Sequence, residues 1–421
     1  MTIRALLLLC ALASSGVAAA QSMQMPMGGS AGTIQKNVLR HSASGTSLEP
    51  GAVSQPMLMR MTGNWMLMLH GYAFGVEQQQ AGPRGHDKFF SANWIMPMAQ
   101  RSLGPGQLTL RTMLSIEPAT ITGRYYPELF QQGETAYGKP IVDGQHPHNL
   151  FMEIAGIYDL KLGNKALGSF YAAPVGDPAL GPVAYPHRAS ANQDPLAALG
   201  HHLEDSTHIS FDVITAGFTL GETRGLRIEA SGFHGREPDE NRWQMQAGAL
   251  DSWAARLSMV AGPNWVGQYS LGRLHSPEAQ HPQEDILRQT ASFSCHYGKR
   301  AALDATAVWG RNHTVGTAQD ANAYLLEGTL QIREKQWVWT RMENADRTTD
   351  LLGPTAPLSE SAIGRVQAYT GGYAHSLGRC PIGSAELGAQ FTAYVTPSRL
   401  VPEYGQHPWG VATFLKLSIG K

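Results

Sequence analysis

Two residue patterns in this sequence could do chemistry: histidine set among carboxylates, and methionine at alternate positions. His146 and His148 stand in "DGQHPHN", and His201, His202, Glu204, Asp205 and His208 stand in "GHHLEDSTH". His187, His234, His275 and His281 lie in similar stretches, with Asp143, Glu153, Glu237 and Asp239. Imidazole and carboxylate together suit zinc, copper, iron or nickel. Neither HExxH nor CxxC occurs, so the pattern names no known metal motif. Polar loop tips in water are the plainer account of such residues.

Methionine is concentrated early: eleven of the fifteen that follow the initiator precede residue 114, in "MQMPM", "MLMRM", "WMLML" and "WIMPM". On an extended strand, spacing by two puts Met66, Met68 and His70 on one face and Trp65, Leu67 and Leu69 on the other. Thioethers are soft ligands that select Cu(I), although methionine is also simply an adaptable apolar filler. The expected cofactor is therefore none, or a copper or zinc ion. His208 and Ser210, two apart, offer a base beside a nucleophile. Asp239 and Glu240 form a carboxylate pair with nothing to fix its geometry. No phosphate loop or nucleotide fingerprint appears.

These side chains must be positioned by strands. From Asn64 onward, segments alternate with period two. "SWAARLSMV" sets Trp253, Leu257 and Met259 against Arg256 and Ser258, and "ELGAQFTAYV" sets Leu387, Phe391 and Val395 against Glu386, Gln390 and Thr392. In "HISFDVITAGFTL" the greasy face is Ile209, Phe211 and Val213, opposite His208, Ser210 and Asp212. About sixteen strands are expected, starting near residues 64, 87, 107, 149, 166, 207, 225, 252, 264, 286, 301, 321, 336, 363, 384 and 408. Tight turns, such as those around Gly104, Gly163, Gly221, Gly262 and Gly298, alternate with long connections at 119–148, 175–206, 235–251, 276–285, 346–362 and 397–407.

An even strand count with short turns at one end and long loops at the other resembles the bacterial outer-membrane porin-like barrels. The resemblance covers residues 64–421 and implies an all-β transmembrane antiparallel up-and-down β-barrel of about 16 strands. The last residues, "LSIGK", depart from the aromatic terminus usual in that class. The segments "GQHPHNLFMEI", "GDPALGPVAYPHRAS", "GREPDENRW" and "GHHLEDSTHIS" are also similar to those of a bacterial exported family, a likeness that implies export and brings no activity. The single His-Ser pair resembles that of outer-membrane phospholipases and lipid A deacylases. In those enzymes the pair faces lipid, a side that Ile209, Phe211 and Val213 claim here.

The N-terminus sets the compartment. "MTIRALLLLCALASSGVAAA", residues 1–20, has a basic start, a short apolar run and a small-residue end, the pattern of a cleaved signal peptide. Residues 21–63 then form an irregular, methionine-containing segment, too short for the folded plug of an energy-driven transporter. No later run is long and apolar enough for a spanning helix. A formal net charge of -1 gives no nucleic-acid footprint.

The function expected is a passive or weakly selective channel for small solutes, linked to copper or other metal handling, and not an enzyme. The alternatives are a lipase-like hydrolase and a secreted soluble β protein that binds metal. Partners are the outer-membrane bilayer, its assembly machinery, small solutes or metal ions, and further copies in a homo-oligomer, with no nucleic acid. Glu153, Asp159, Asp212, Arg227, Glu229, Arg256, Asp304, Glu327, Arg365 and Lys416 are expected to face the lumen. Cys295 and Cys380 fall four strands apart, beyond disulfide reach.

Overall fold

The computed structural model describes residues 33–205, 210–279, 281–298, 301–348, 351 and 362–420. The expected signal segment, "MQMPM" and the candidate ligand His208 lie outside the described residues. In chain order the strands are β1 (Leu58–Thr62), β2 (Trp65–Ala81), β3 (Lys88–Phe90), β4 (Asn93–Leu103), β5 (Gly106–Leu114), β6 (Tyr126–Ala136), β7 (Lys139–Gln145), β8 (Phe151–Lys161), β9 (Ala166–Gly176) and β10 (Ser210–Gly221). They continue as β11 (Arg224–His234), β12 (Ser252–Ala261), β13 (Trp265–Leu274), β14 (Ile286–Tyr297), β15 (Ala301–Thr314), β16 (Asp320–Ile332), β17 (Gln336–Thr348), β18 (Ala362–Cys380), β19 (Gly383–Val395) and β20 (Trp409–Ile419).

Sixteen of these make one closed antiparallel wall: β2, β4, β5 and β8 to β20. The first and last wall strands pair directly, from Gly71 opposite Ile419 to Ala81 opposite Trp409, so no sheet edge is left along that seam. Closure is what lets a sheet lie in lipid, because each backbone donor finds its partner within the wall. β1 and β3 are short additions flanking β2, and β6 with β7 is a separate hairpin.

The alternation follows the wall. On β12, Trp253 and Met259 are about half exposed while Arg256 and Ser258 are buried; on β19, Leu387 and Phe391 point out while Glu386 and Gln390 point in. Large apolar side chains on the outside and charged ones inside invert the usual order of a soluble protein, and lipid is the surround that makes this favourable.

β10 overturns the face assignment read from its sequence. Phe211 and Val213 are fully buried and turned inward, while Ile214, Phe218 and Leu220 are the exposed outward residues. Asp212, expected in the lumen, sits at a register shift with φ 52°, on the row of Ile214, and accepts the N–H of Gly248. Arg365 also lies outside, over the exposed Tyr324 ring and paired with Asp346. The apolar inward residues of β10 are accounted for by what fills the barrel.

The lumen is packed with protein. The helix Ile34–Arg40 enters from the short-turn end, where the Ile34 N–H bonds the Glu222 carbonyl, and Ile34 and Val38 pack on Leu167, Val260 and Val266. Residues 41–49 follow it inward, and the β6–β7 hairpin and the connection 177–205 fold in from the other end. Most of the lumen charges hold this filling in place. Arg111 donates to the carbonyls of His41, Ala43 and Gly45; Arg256 to the Gly181 carbonyl and the Thr46 hydroxyl; Arg341 to the carbonyls of Leu196 and Ala197; Arg347 to that of Leu199. Lys416 donates to the Asn192 carbonyl, and Glu327 joins Arg188 of the filling to Arg341 of the wall.

Candidate metal centre

The two histidine-rich connections meet inside the long-loop end of the barrel. His146, His201 and His202 each offer a ring nitrogen, and the three lie within 4.8 Å of one another. His146 directly follows β7. His201 and His202 open a one-turn helix, His201–Glu204, that packs on β14, β15 and β16. The ring centroids of His201 and His202 are 4.2 Å apart, and those of His146 lie 6.5 and 6.0 Å from them. The His202 ring rests on Gly133, a position at φ 106° where an added Cβ would come within 3.0 Å of the imidazole. A side chain there would push the ring out of the group.

The backbone sets which nitrogens face the centre. His201 Nδ1 lies 2.7 Å from the Ala198 carbonyl and His146 Nδ1 lies 2.9 Å from the Pro147 carbonyl. A carbonyl accepts only, so each Nδ1 carries the hydrogen and Nε2 is the ligating nitrogen, the arrangement that typically orients histidine ligands; the Glu134 carboxylate stands beside the group, 3.0 Å from His146 Nε2. Burial holds all three imidazoles below the ordinary histidine range, His201 and His202 well below, and for each of those two a neighbouring imidazole adds to the effect. The neutral ring is the ligating form. Three imidazoles suit Zn(II) or Cu(II).

The other expected ligands fall into different places. His148 is held at both ring nitrogens, by Glu117 at 2.9 Å and the Tyr185 hydroxyl at 3.2 Å, and so stands apart from the three. Asp205 pairs with Arg188 at 3.1 Å. Glu204 is buried on the same turn as His201, and desolvation, with Asp205 beside it, raises its carboxyl well above the usual range. Glu153, Arg227, Glu229, Arg256, Glu327 and Lys416 all point inward and are buried; Asp304 faces in near the short-turn end, 2.8 Å from His296 Nδ1. Ser210 is buried, so the geometry gives a lipid-facing hydrolase site no support.

Met66, Met68 and His70 point inward on β2, in a cluster remote in sequence from the three histidines. Met68 lies opposite Met98 and His70 opposite Met96 on β4. Met113 of β5 and Met152 of β8 join them, with Trp94 and, from the connection 177–205, His187. Met113 and Met152 were not among the expected ligands, and His187 was read with the histidines of the mouth, not with the methionines. Met152 and His187 fall within segments quoted for the exported family, yet no sequence spacing links them, because they meet only once the connection lies inside the barrel.

A closed antiparallel wall of sixteen strands, apolar outside and polar within, is the fold of the porin-like β-barrels. Salmonella typhi OmpF, solved in complex with daunomycin, shares it with a TM-score of 0.52 at 9% identity, over 86% of this chain and 100% of that one. An anion-selective porin from Comamonas acidovorans gives 0.49 at 10% identity over 84% and 99%, and outer-membrane expressed OmpT of Vibrio cholerae gives 0.47 at 7% over 86% and 100%. At 9% identity the likeness to OmpF is one of fold. No protein-family model matches the sequence, and no curated protein does.

Proposed function

We propose that the protein is an outer-membrane channel of the porin-like class, closed at rest by its own N-terminal segment and inward-folded connections. It passes small solutes when that filling shifts, and it recognises transition-metal ions at His146, His201 and His202. In this orientation the short turns face the periplasm, the long connections face outward, and the three histidines lie just inside the outer mouth. The observation that carries the reading is the grouping itself: three imidazoles, drawn from two connections, brought within chelating distance inside a polar lumen. The apolar outer surface of the wall supports placement in a bilayer.

The test is current through the purified protein in a planar bilayer, with Zn(II) or Cu(II) added on the long-loop side. The parent should show a low resting conductance that the metal changes, and a His146→Ala, His201→Ala, His202→Ala variant should lose the metal response and keep the current. A parent that never conducts removes the channel reading. A metal response that survives in the triple variant removes the site.

A further inference from the structure

We propose a second, softer site deeper in the lumen, formed by Met113, His187 and His70 with Met96 beside them, that takes a monovalent soft cation of the Cu(I) class. His187 Nε2 lies 3.1 Å from the Met113 sulfur, and the rings of His187 and His70 are 5.8 Å apart. All four side chains are buried, none more than 5% exposed. His70 Nε2 and His187 Nδ1 have no hydrogen-bond partner among the described residues. An orphaned buried nitrogen costs about 1–3 kcal/mol. Two of them in one group of thioethers is a poor core, since leucine would fill the same space at no such cost.

The donor types fit one class of ion. Thioether sulfur with imidazole selects Cu(I) over hard divalent ions, whereas the three histidines nearer the mouth carry no sulfur. The site is also reachable. A cavity of about 190 Å³ runs from Arg379, Ser384 and Ile419 at the short-turn end to His70, Trp94 and His187. On the other side a void of about 40 Å³ is lined by His187, Met113, Met152 and His201. His187 borders both. The inference deepens the metal reading of the lumen, and its test is binding, which does not require the barrel to conduct.

The full chain, folded in detergent and kept without oxygen, is titrated with Cu(I) against a bathocuproine competitor, and in air with Ag(I). The parent should bind one equivalent that shows both sulfur and nitrogen scattering in X-ray absorption. Met113→Leu, a volume-conserving change, should lower the sulfur scattering of that equivalent and weaken it by at least about tenfold. The triple histidine variant should bind it unchanged. Equal binding by Met113→Leu and parent, nitrogen-only scattering in the parent, or loss of Cu(I) in the triple variant would each overturn the site. Heat-modifiable gel migration reports whether each variant is folded.

Discussion

Arg111 and Glu153 are joined fork to fork inside the barrel, Nε to Oε2 at 2.6 Å and Nη2 to Oε1 at 2.8 Å, with both side chains fully buried. The same guanidinium reaches the carbonyls of His41, Ala43 and Gly45, so one wall residue fastens three points of the N-terminal segment. Arg111→Ala leaves Glu153 as an uncompensated buried charge, a loss of about 3–5 kcal/mol. Its expected effects are a lower unfolding temperature and a higher resting conductance. An Arg111→Met, Glu153→Gln pair should recover much of the stability while the conductance stays high. Unchanged current in both variants would show that the segment is held elsewhere.

The outward row of β10 sets a second expectation. Phe218 is about half exposed on the wall's outer face. Phe218→Arg should cost about 2–4 kcal/mol if that position lies at the bilayer midplane, read as reduced folding into vesicles. Asp212→Asn, at the rim, should assemble like the parent. If Phe218→Arg also folds like the parent, Phe218 does not lie at the bilayer midplane.

Glu49 should make the proposed closed state pH-dependent. Its Oε1 accepts the Ala189 N–H at 3.1 Å, and burial raises its carboxyl from 4.5 to about 8. The docked segment therefore holds a proton that the released segment loses. The stabilisation is fully present below pH 4.5 and is lost as pH rises through about 8. The slope is at most about 1.4 kcal/mol per pH unit for one proton. Raising pH from about 6 to about 9 should raise the open probability, and Glu49→Gln should flatten that dependence. Single-channel recording reads both.

Cys380 is exposed at the end of β18, Cys295 is half-buried on β14, and both are free. A charged maleimide should label Cys380 in the folded protein, and denaturation without reductant should add Cys295. No label at either cysteine after denaturation would contradict the strand order.

The wall was legible in the sequence because period-two alternation is strong where a strand separates lipid from charge. Trp253, Leu257 and Met259 against Arg256 and Ser258 on β12 could be sorted without coordinates. β10 could not, because its inward Phe211 and Val213 pack in apolar clusters inside the barrel. A residue packed in such a cluster is as apolar as one facing lipid, so the pattern of Phe211, Val213 and Ile214 has two equally greasy sides. The candidate centre was legible as residue types alone. His146 stands 55 positions before His201, and they meet only because two loops expected in water turn inward. His70 was placed on its face correctly, yet its partner His187 comes from a connection whose path the sequence leaves open.

The seam between β2 and β20 bears on how the molecule can be made. β20 is the last of the described strands, and its pairing with β2 shuts the wall around residues 41–49, which precede β2. The arginine contacts to His41, Ala43 and Gly45 lie within that enclosure, with Arg111 on β5 and Glu153 on β8. The segment enters and leaves at one end, Ile34 against Glu222 and Ala52 against Pro263, so it is a stopper that a finished ring admits from its short-turn side.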